Sequence, residues 1–183
     1  MNNPLSSSNF PPTGSLLLRV VVPELQVANV AFNTGVIQDA LQQAAAECSQ
    51  PQLVLFPELC LTGSTCGDLF FQPLLQEKAL EGLARLQEIA QQLNLWAVVG
   101  LPLAFAGQLY DAAVLLSPQG LEGVSLAAEP RDFSGRYPSR WFAPAAALPA
   151  QEIDLLNKHI PIAADLTLQL PELAPNRLQI CVG

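Results

Sequence analysis

The segment Leu53–Phe56 is a run of four apolar residues, LVLF, with no polar residue in alternation. A strand of that kind is usually covered on both faces, as in a sheet with helices outside and another layer beneath. Proline and glutamate follow directly, so Glu58 stands where a buried strand should end. The segment therefore predicts a layered α/β fold with a carboxylate at the end of an inner strand.

Strand-like and helix-like segments alternate along the rest of the chain. The β-branched run Leu16–Val22 predicts a strand, and apolar residues at helical spacing predict a helix over Asn33–Cys48, with Asn33 and Thr34 as cap candidates. A longer apolar stripe predicts a helix over Phe71–Leu93. Further strands are predicted over residues 95–103, 109–117, 121–127, 164–170 and 177–183. This order is typical of an α/β fold with a mixed sheet.

The remaining segments are interpreted as irregular. Residues 1–14 are rich in Ser, Asn, Pro and Gly and are expected to form a flexible lead-in, whereas residues 15–183 form one domain. Residues 128–149 are proline-rich and are expected to form a surface excursion, and His159 is expected in a surface loop. The chain stops directly after the last predicted strand, which suggests a sheet that is cut short or completed by another chain.

Composition excludes several classes of protein. Half of the 183 residues are hydrophobic and 13% are charged, as expected of a globular domain. The net charge of −8, with eight Lys and Arg, offers no basic stripe for a run of phosphates, so we expect no nucleic-acid partner. Apolar runs fall far short of the roughly 20 residues that cross a bilayer, and the N-terminus does not resemble a secretion signal. We therefore expect a cytoplasmic protein without a membrane partner.

Two side chains at predicted strand ends, Glu58 and Cys181, are candidate catalytic groups. The four cysteines lack metal-binding spacing and there is one histidine, so we expect no metal site. A thiol such as Cys181 becomes a useful nucleophile beside a base. A carboxylate that is partly desolvated at a strand end, as we expect of Glu58, can act as that base. The structural alternatives are an exposed glutamate after a strand and a small core cysteine.

Several blocks of the sequence carry a family resemblance. The segment LVLFPELCLTG resembles the strand and base motif of the nitrilase, or carbon-nitrogen hydrolase, superfamily. ELCLTGSTCGDLFFQ, VVGLPL, GQLYDAAVLL, RYPSRWFAP and HIPIAADLTLQLPEL are similar, in this order, to the glutaminase domain of glutamine-dependent NAD+ synthetases, over Leu18–Val182. The resemblance implies a nitrilase-like α-β-β-α sandwich with mixed sheets, incomplete at its C-terminus, and a chain that lacks the synthetase domain.

The resemblance also implies a reaction. Cys181 would attack the side-chain amide of glutamine, and Glu58 would take the thiol proton, deliver it to the leaving ammonia and activate the hydrolytic water. This step needs no cofactor, since ATP and Mg²⁺ would belong to the absent synthetase domain. Tyr110 and Asp111 match a strand near the pocket of the family, and Tyr110 is a candidate substrate contact. The structural alternative is a core-edge tyrosine and a solvated aspartate. A homo-oligomer or a separately encoded remainder is the expected protein partner.

One position departs from the family pattern. Alignment on Gly123, Tyr137 and the RWF segment places Ala127 where the family has a lysine that steadies the oxyanion, and Gly135 where it has a supporting glutamate. Removal of one oxyanion donor costs about 10²- to 10³-fold in rate. The resemblance therefore implies impaired catalysis by this chain.

A shift of the alignment does not supply the missing cation, because no lysine lies between Lys78 and Lys158. Two alternatives to a glutaminase stay open on the sequence. One is a non-catalytic remnant or interaction module of the same fold, and the other is a different nitrilase-type amidase.

Overall fold

The protein was analysed as a computed structural model, which describes residues 17–48, 52–130, 132, 137–148, 151–168 and 178–182, without the side chains of residues 168, 178 and 181. The lead-in predicted for residues 1–14 lies outside the described residues. The described elements are β1 (Leu17–Val20), α1 (Val30–Glu47), β2 (Gln52–Leu55), α2 (Pro73–Leu93), β3 (Trp96–Phe105), β4 (Gln108–Ser117), β5 (Gly120–Leu126), β6 (Glu152–Leu155), β7 (Lys158–Ala163), β8 (Asp165–Leu168) and β9 (Leu178–Cys181).

Seven strands form one mixed sheet in the order β1-β2-β3-β4-β5-β7-β6. Strands β1, β2 and β3 are parallel to one another, β3, β4 and β5 form an antiparallel meander, and β7 joins β5 in parallel. Strands β8 and β9 form a separate antiparallel pair. The mixed α/β fold predicted from the order of the segments is therefore confirmed.

The two faces of the large sheet are covered by different layers. Alternate residues of a strand point to opposite faces. One set packs with α1 and α2 and includes Val54, Ala97, Val99, Val114 and Leu116. The other set packs with Leu166 of β8 and Ile180 of β9 and includes Leu53, Trp96, Val98 and Leu115. The apolar part of β2 is therefore buried on both faces, with Leu53 on one and Val54 on the other, as its sequence predicts.

Helix α1 begins earlier than its sequence predicted. The Asn29 side chain caps the helix by accepting a hydrogen bond from the amide three residues on, at 3.2 Å. Asn33 is fully buried inside the helix, where its side chain bonds to the backbone of Gln26 and Leu61. The assignment of Asn33 and Thr34 as caps was therefore wrong, because Asn33 joins α1 to the loop after β2.

Helix α2 agrees with its predicted end at Leu93 but starts at Pro73, after a 3₁₀ turn over Gly67–Phe71. Proline is preorganised for the first helical position. Asn94 ends the helix in the left-handed region with φ 55°, and its amide donates to the carbonyl oxygens at the end of the helix. Neither helix of the described residues has an apolar stretch long enough to span a bilayer.

The segment around His159 is a hairpin and not a loop. Strands β6 and β7 pair in antiparallel through a two-residue turn, in which Leu156 and Asn157 have φ of 49° and 63°. A two-residue turn with positive φ at both positions matches the right-handed twist of the strands. Leucine is not a residue that usually signals such a turn. The predicted surface position of His159 holds, since the residue is exposed on β7.

Candidate active site

The turn after β2 places Glu58 over a glycine of β3. A Cβ atom on Gly100 would lie 2.4 Å from the amide nitrogen of Leu59 and 2.7 Å from the carbonyl oxygen of Pro57. Only a residue without a side chain allows this approach, because both neighbours are backbone atoms. Glu58 itself is exposed, so the partial burial expected from its strand-end position is not seen among the described residues.

Packing behind this turn fixes the path of the chain. Leu59 is buried in the left-handed region with φ 51°, a conformation that costs a residue with a side chain about 1 to 3 kcal/mol and is often found at functional sites. It belongs to a cluster with Phe70 and Phe142, whose rings lie 4.9 Å apart. Trp141 donates a hydrogen bond to Asp68 at 2.9 Å. The RWF segment, Arg140–Phe142, therefore packs against the loop that follows β2 and stabilises its conformation.

Asp111 on β4 is buried, and not solvated as its sequence suggested. The residue is 7% exposed, and its Oδ1 atom has no hydrogen-bond partner among the described residues. Burial and, second, the nearby charge of Glu58 raise the pKa of Asp111 to about 8. Strand β4 alternates with Ala113 and Leu115 on the face that packs with β8 and β9, so Asp111 belongs to that face.

The backbone brings the end of β9 to the end of β5. Ala127, which directly follows β5, pairs in parallel with Val182, the residue after Cys181. The amide of Ala127 also donates to the carbonyl oxygen of Asp111 at 2.9 Å. The ends of β4, β5 and β9 therefore meet at one corner of the sheet, and Glu58 is close enough for its charge to act on Asp111. The Cys181 side chain lies outside the described residues.

Tyr110, the candidate substrate contact, lies on the opposite face of β4. It is fully buried, and its hydroxyl donates to the carbonyl oxygen of Ala147 at 3.4 Å. It packs in the cluster under the two helices. This position favours the structural alternative, and a substrate contact by Tyr110 stays a prediction.

The cysteines near the Glu58 turn are poorly suited to act as nucleophiles. Burial raises the pKa of the Cys60 thiol to about 12, and its sulfur contacts the backbone of Gly100. Burial also raises the pKa of Cys66, whose thiol donates to the carbonyl oxygen of Thr62 at 3.1 Å. Only a thiolate is an effective nucleophile. Among the residues with described side chains, the site therefore offers carboxylates and no activated thiol.

The burial of Asp111 is the feature of the site that sequence reasoning missed, because the residue was interpreted as solvated. Asp111 is the one charged residue between Leu109 and Leu116, a segment that otherwise reads as a buried strand. An acid inside such a segment signals either an exposed edge or a functional site, because a buried carboxylate is costly without a partner. Because β8 and β9 cover this face of the sheet, Asp111 does not lie at an exposed edge.

Two further features of the described residues bear on the site. No group of three or more His, Cys, Asp or Glu in them is placed to hold a metal ion. The described chain also has a groove of about 900 Å³ between α1 and α2, lined in part by Thr34, Gly82 and Arg85. This groove lies on the helical side of the sheet and contains none of the candidate site residues.

A comparison against protein families gives one match. The family described as carbon-nitrogen hydrolase matches residues 20–138, which is more than half of the chain. The chain therefore belongs to the carbon-nitrogen hydrolase family.

Solved structures share this fold. A glutamine-dependent NAD(+) synthetase from Cytophaga hutchinsonii matches with a TM-score of 0.73 and 23% identity, over 84% of this chain and 26% of that one. A carbon-nitrogen hydrolase from Helicobacter pylori G27 matches with a TM-score of 0.60 and 22% identity, over 69% and 45%. An amidase mutant from Nesterenkonia sp. AN1, with the acetamide moiety of fluoroacetamide added covalently at its active site cysteine, matches with 0.59 and 19%, over 82% and 56%.

The chain spans between 26% and 56% of the length of these three structures. At such low identity the likeness shows the fold. A comparison with curated protein sequences gave no significant match.

Proposed function

We propose that this protein hydrolyses the carbon-nitrogen bond of a carboxamide, with Cys181 as nucleophile and Glu58 as general base, and that glutamine is its substrate. The observation that carries the proposal is the backbone pairing of Ala127 with Val182, which brings the end of β9 to the sheet corner where Glu58 and Asp111 interact. Family membership supports amide chemistry, and the synthetase neighbour favours glutamine over other amides.

The proposed reaction has two halves. Glu58 takes the proton of the Cys181 thiol, and the sulfur forms a bond to the amide carbon while the carbonyl electron pair moves to oxygen. When the oxyanion collapses, the C–N bond breaks and Glu58 returns the proton to the leaving ammonia. A water then gives a proton to Glu58 and attacks the thioester, and the C–S bond breaks with return of the proton to sulfur. The products are glutamate and ammonia.

The rate should be low because of position 127. The family resemblance places a lysine there, and a methyl group cannot stabilise an oxyanion by charge. We therefore expect slow turnover by the protein alone. The reaction needs no cofactor, and we assign it to the cytoplasm because Cys48, Cys60 and Cys66 are unpaired. Association with itself or with a separately encoded chain remains part of the proposal.

The test is ammonia and glutamate release from glutamine by the purified protein. Cys181→Ser should abolish release and Glu58→Gln should lower it by about 10²- to 10⁴-fold, the usual contribution of a general base. Cys48→Ser, at the half-buried residue directly after α1, is the matched control and should leave the rate unchanged. Fluoroacetamide should alkylate Cys181, and mass spectrometry of the treated protein should locate the adduct on that residue.

The outcomes separate the alternatives. Release from a panel of other small amides, but not from glutamine, would replace the glutaminase with another amidase. Neither release nor labelling of Cys181, with the fold intact, would contradict the proposal and favour a non-catalytic module of the same fold.

A further inference from the structure

The β8–β9 pair places an acid directly opposite the proposed nucleophile. Asp165, the first residue of β8, is the register partner of Cys181, the last residue of β9. Leu166 and Ile180 pack on the large sheet, so strand alternation puts positions 165 and 181 together on the outer side of the pair. Directly opposite residues of an antiparallel pair have Cβ atoms about 4.5 to 5.5 Å apart. Asp165 is therefore the nearest cross-strand neighbour of the nucleophile position.

The Asp165 carboxylate is available to a bound molecule. The residue is exposed, and its side chain makes no hydrogen bond or ion pair with the described residues. The five Lys and Arg residues with described side chains bond to other groups: Arg19 to Glu47, Lys78 to Glu81, Arg85 to Gln38, Arg140 to Asp68 and Lys158 to the carbonyl oxygen of Gln119. A carboxylate in this position can accept hydrogen bonds from the ammonium group of a ligand.

Asp165 also lines a pocket of about 720 Å³ beside the connection between β7 and β8. This volume lies in the range of small-molecule sites. Of the lining residues that the structure describes, Asp165 is the one that carries a charge, and Gln151 and Thr167 add polar groups. The amide of Ala145, another lining residue, donates to the carbonyl oxygen of Ala127 at 3.1 Å. The pocket therefore adjoins the sheet corner of the proposed active site, and its charge favours a cationic group.

One buried hydroxyl group holds the two strand positions in place. The Oγ atom of Ser125 on β5 lies 3.0 Å from the carbonyl oxygen of Ala164 and 2.9 Å from that of Ile180. These carbonyl groups belong to the residues directly before Asp165 and Cys181. Both positions are therefore fixed to the same point of the large sheet, in addition to their own backbone pairing.

We propose that Asp165 is a specificity residue that binds the α-ammonium group of glutamine while Cys181 attacks the side-chain carboxamide. This proposal rests on the function proposed above. Four bonds join the ammonium nitrogen of glutamine to its carboxamide carbon, a span of about 5 Å when extended. The span matches the separation of directly opposite strand residues. The substrate class is thus a primary carboxamide with an ammonium group on the third carbon from it, and no bond is made or broken at Asp165.

Two analogues of glutamine separate recognition of its ammonium group from recognition of its carboxylate. Glutaramate lacks the α-amino group and 4-aminobutanamide lacks the α-carboxylate, whereas both keep the carboxamide. Asp165→Asn removes the charge and keeps the size of the side chain. It should lower kcat/KM for glutamine and for 4-aminobutanamide by about 10-fold relative to glutaramate, the effect of one charge-assisted hydrogen bond. Asp39→Asn, on the exposed side of α1, is the matched control and should leave these ratios unchanged.

The ratios separate ammonium binding from folding and from the chemical step. A structural or catalytic role of Asp165 would change the hydrolysis of all three amides alike. Ratios in Asp165→Asn within about twofold of wild type would therefore overturn the proposal, whether the rates themselves are kept or fall together.

A binding measurement does not need turnover. Calorimetry with Cys181→Ser, which cannot form the thioester, should give a Kd for glutamine about 10-fold below that for glutaramate. Adding Asp165→Asn to this variant should remove the difference. Equal Kd values for the two amides, or no binding of glutamine, would overturn the proposal. The expected difference in a protein that hydrolyses no amide would keep the ammonium site and remove the proposed function.

Discussion

Glu58 and Asp111 are two carboxylates at one corner of the sheet with different exposure. Glu58 lies in a turn open to solvent, and Asp111 lies under the β8–β9 pair. Because burial penalises the charged form, it raises the pKa of Asp111 to about 8, and the negative charge of Glu58 adds to this shift.

His159 provides a residue-scale prediction, because it is the single histidine of the chain. Hydrogen bonds from its ring nitrogens to Asp154 at 2.8 Å and to Glu152 at 2.9 Å raise its pKa above the usual value of about 6.5. The stabilisation by the charged ring is complete below the unfolded-state pKa and is lost as the pH rises through the higher folded-state pKa. A proton NMR titration of the ring should therefore have its midpoint above 6.5.

Matched variants test the cause of that shift. Asp154→Asn and Glu152→Gln should each lower the His159 midpoint toward 6.5, and Asp39→Asn, on a distant helix, should leave it in place. A wild-type midpoint at or below 6.5 would contradict the prediction.

The candidate site was only partly predictable from the sequence. Glu58 was found because a carboxylate after an unbroken apolar strand is unusual, and Cys181 because a resemblance pointed to it. The burial of Asp111 could not be read from its neighbours, since GQLYDAAVLL fits both a half-exposed strand and a covered one. Coverage of that face depends on β8 and β9, which are more than fifty residues away in the chain.

At the scale of elements, the crossing of α1 and α2 depends on Gly82. A Cβ atom there would lie 2.6 Å from the Thr34 hydroxyl oxygen and 3.1 Å from a methyl group of Val30. Because threonine is branched at Cβ, its hydroxyl cannot easily rotate away. We expect Gly82→Ala to destabilise the protein by about 1 to 3 kcal/mol through overpacking, more than the gain of about 1 kcal/mol from helix propensity.

Gly35 on α1 is the matched control for this prediction. It has no atom within 4 Å of its would-be Cβ, so Gly35→Ala should stabilise the protein by up to about 1 kcal/mol. Denaturant unfolding measures the free energy of unfolding of both variants. The double variant Thr34→Ala with Gly82→Ala should recover part of the stability that Gly82→Ala loses. Equal stability of the two single alanine variants would show that the helices can move apart at no cost.

The differences between predicted and observed elements have local causes. Helix α1 starts near Asn29 because tertiary hydrogen bonds of Asn33 override its preference for a cap position. The β6–β7 hairpin was missed because its turn contains Leu156, a residue that propensity does not associate with positive φ. The apolar patterns of β2, β3 and α2 predicted these three elements correctly.

At the scale of the whole molecule, Ser125 joins the large sheet to the β8–β9 pair. Its hydroxyl oxygen lies 2.9 Å from the carbonyl oxygen of Ile180 and 3.0 Å from that of Ala164. Ser125→Ala leaves buried carbonyl groups without this donor and should cost about 1 to 3 kcal/mol. Because β9 carries the proposed nucleophile, its loosening should also lower the rate of amide hydrolysis.

Hydrogen exchange locates the effect of this variant. Amides of β8 and β9 should exchange faster in Ser125→Ala, whereas those of the β3–β4 ladder should change little. Ser139→Ala removes a hydroxyl that bonds to Asp132 at the surface and should leave both sets unchanged. Uniform acceleration throughout the sheet would contradict a local joint at Ser125.

The neighbouring residues Tyr110 and Asp111 also constrain how the chain can assemble. In the observed register of β3 and β4, Tyr110 stands opposite Leu103 and Asp111 opposite Pro102. A slip by one residue would exchange the two faces of β4, so that the acid would enter the layer beneath the helices and the tyrosine would leave it. Misaligned versions of this hairpin are thus disfavoured, because they would place the Asp111 carboxyl group among the apolar side chains beneath the helices.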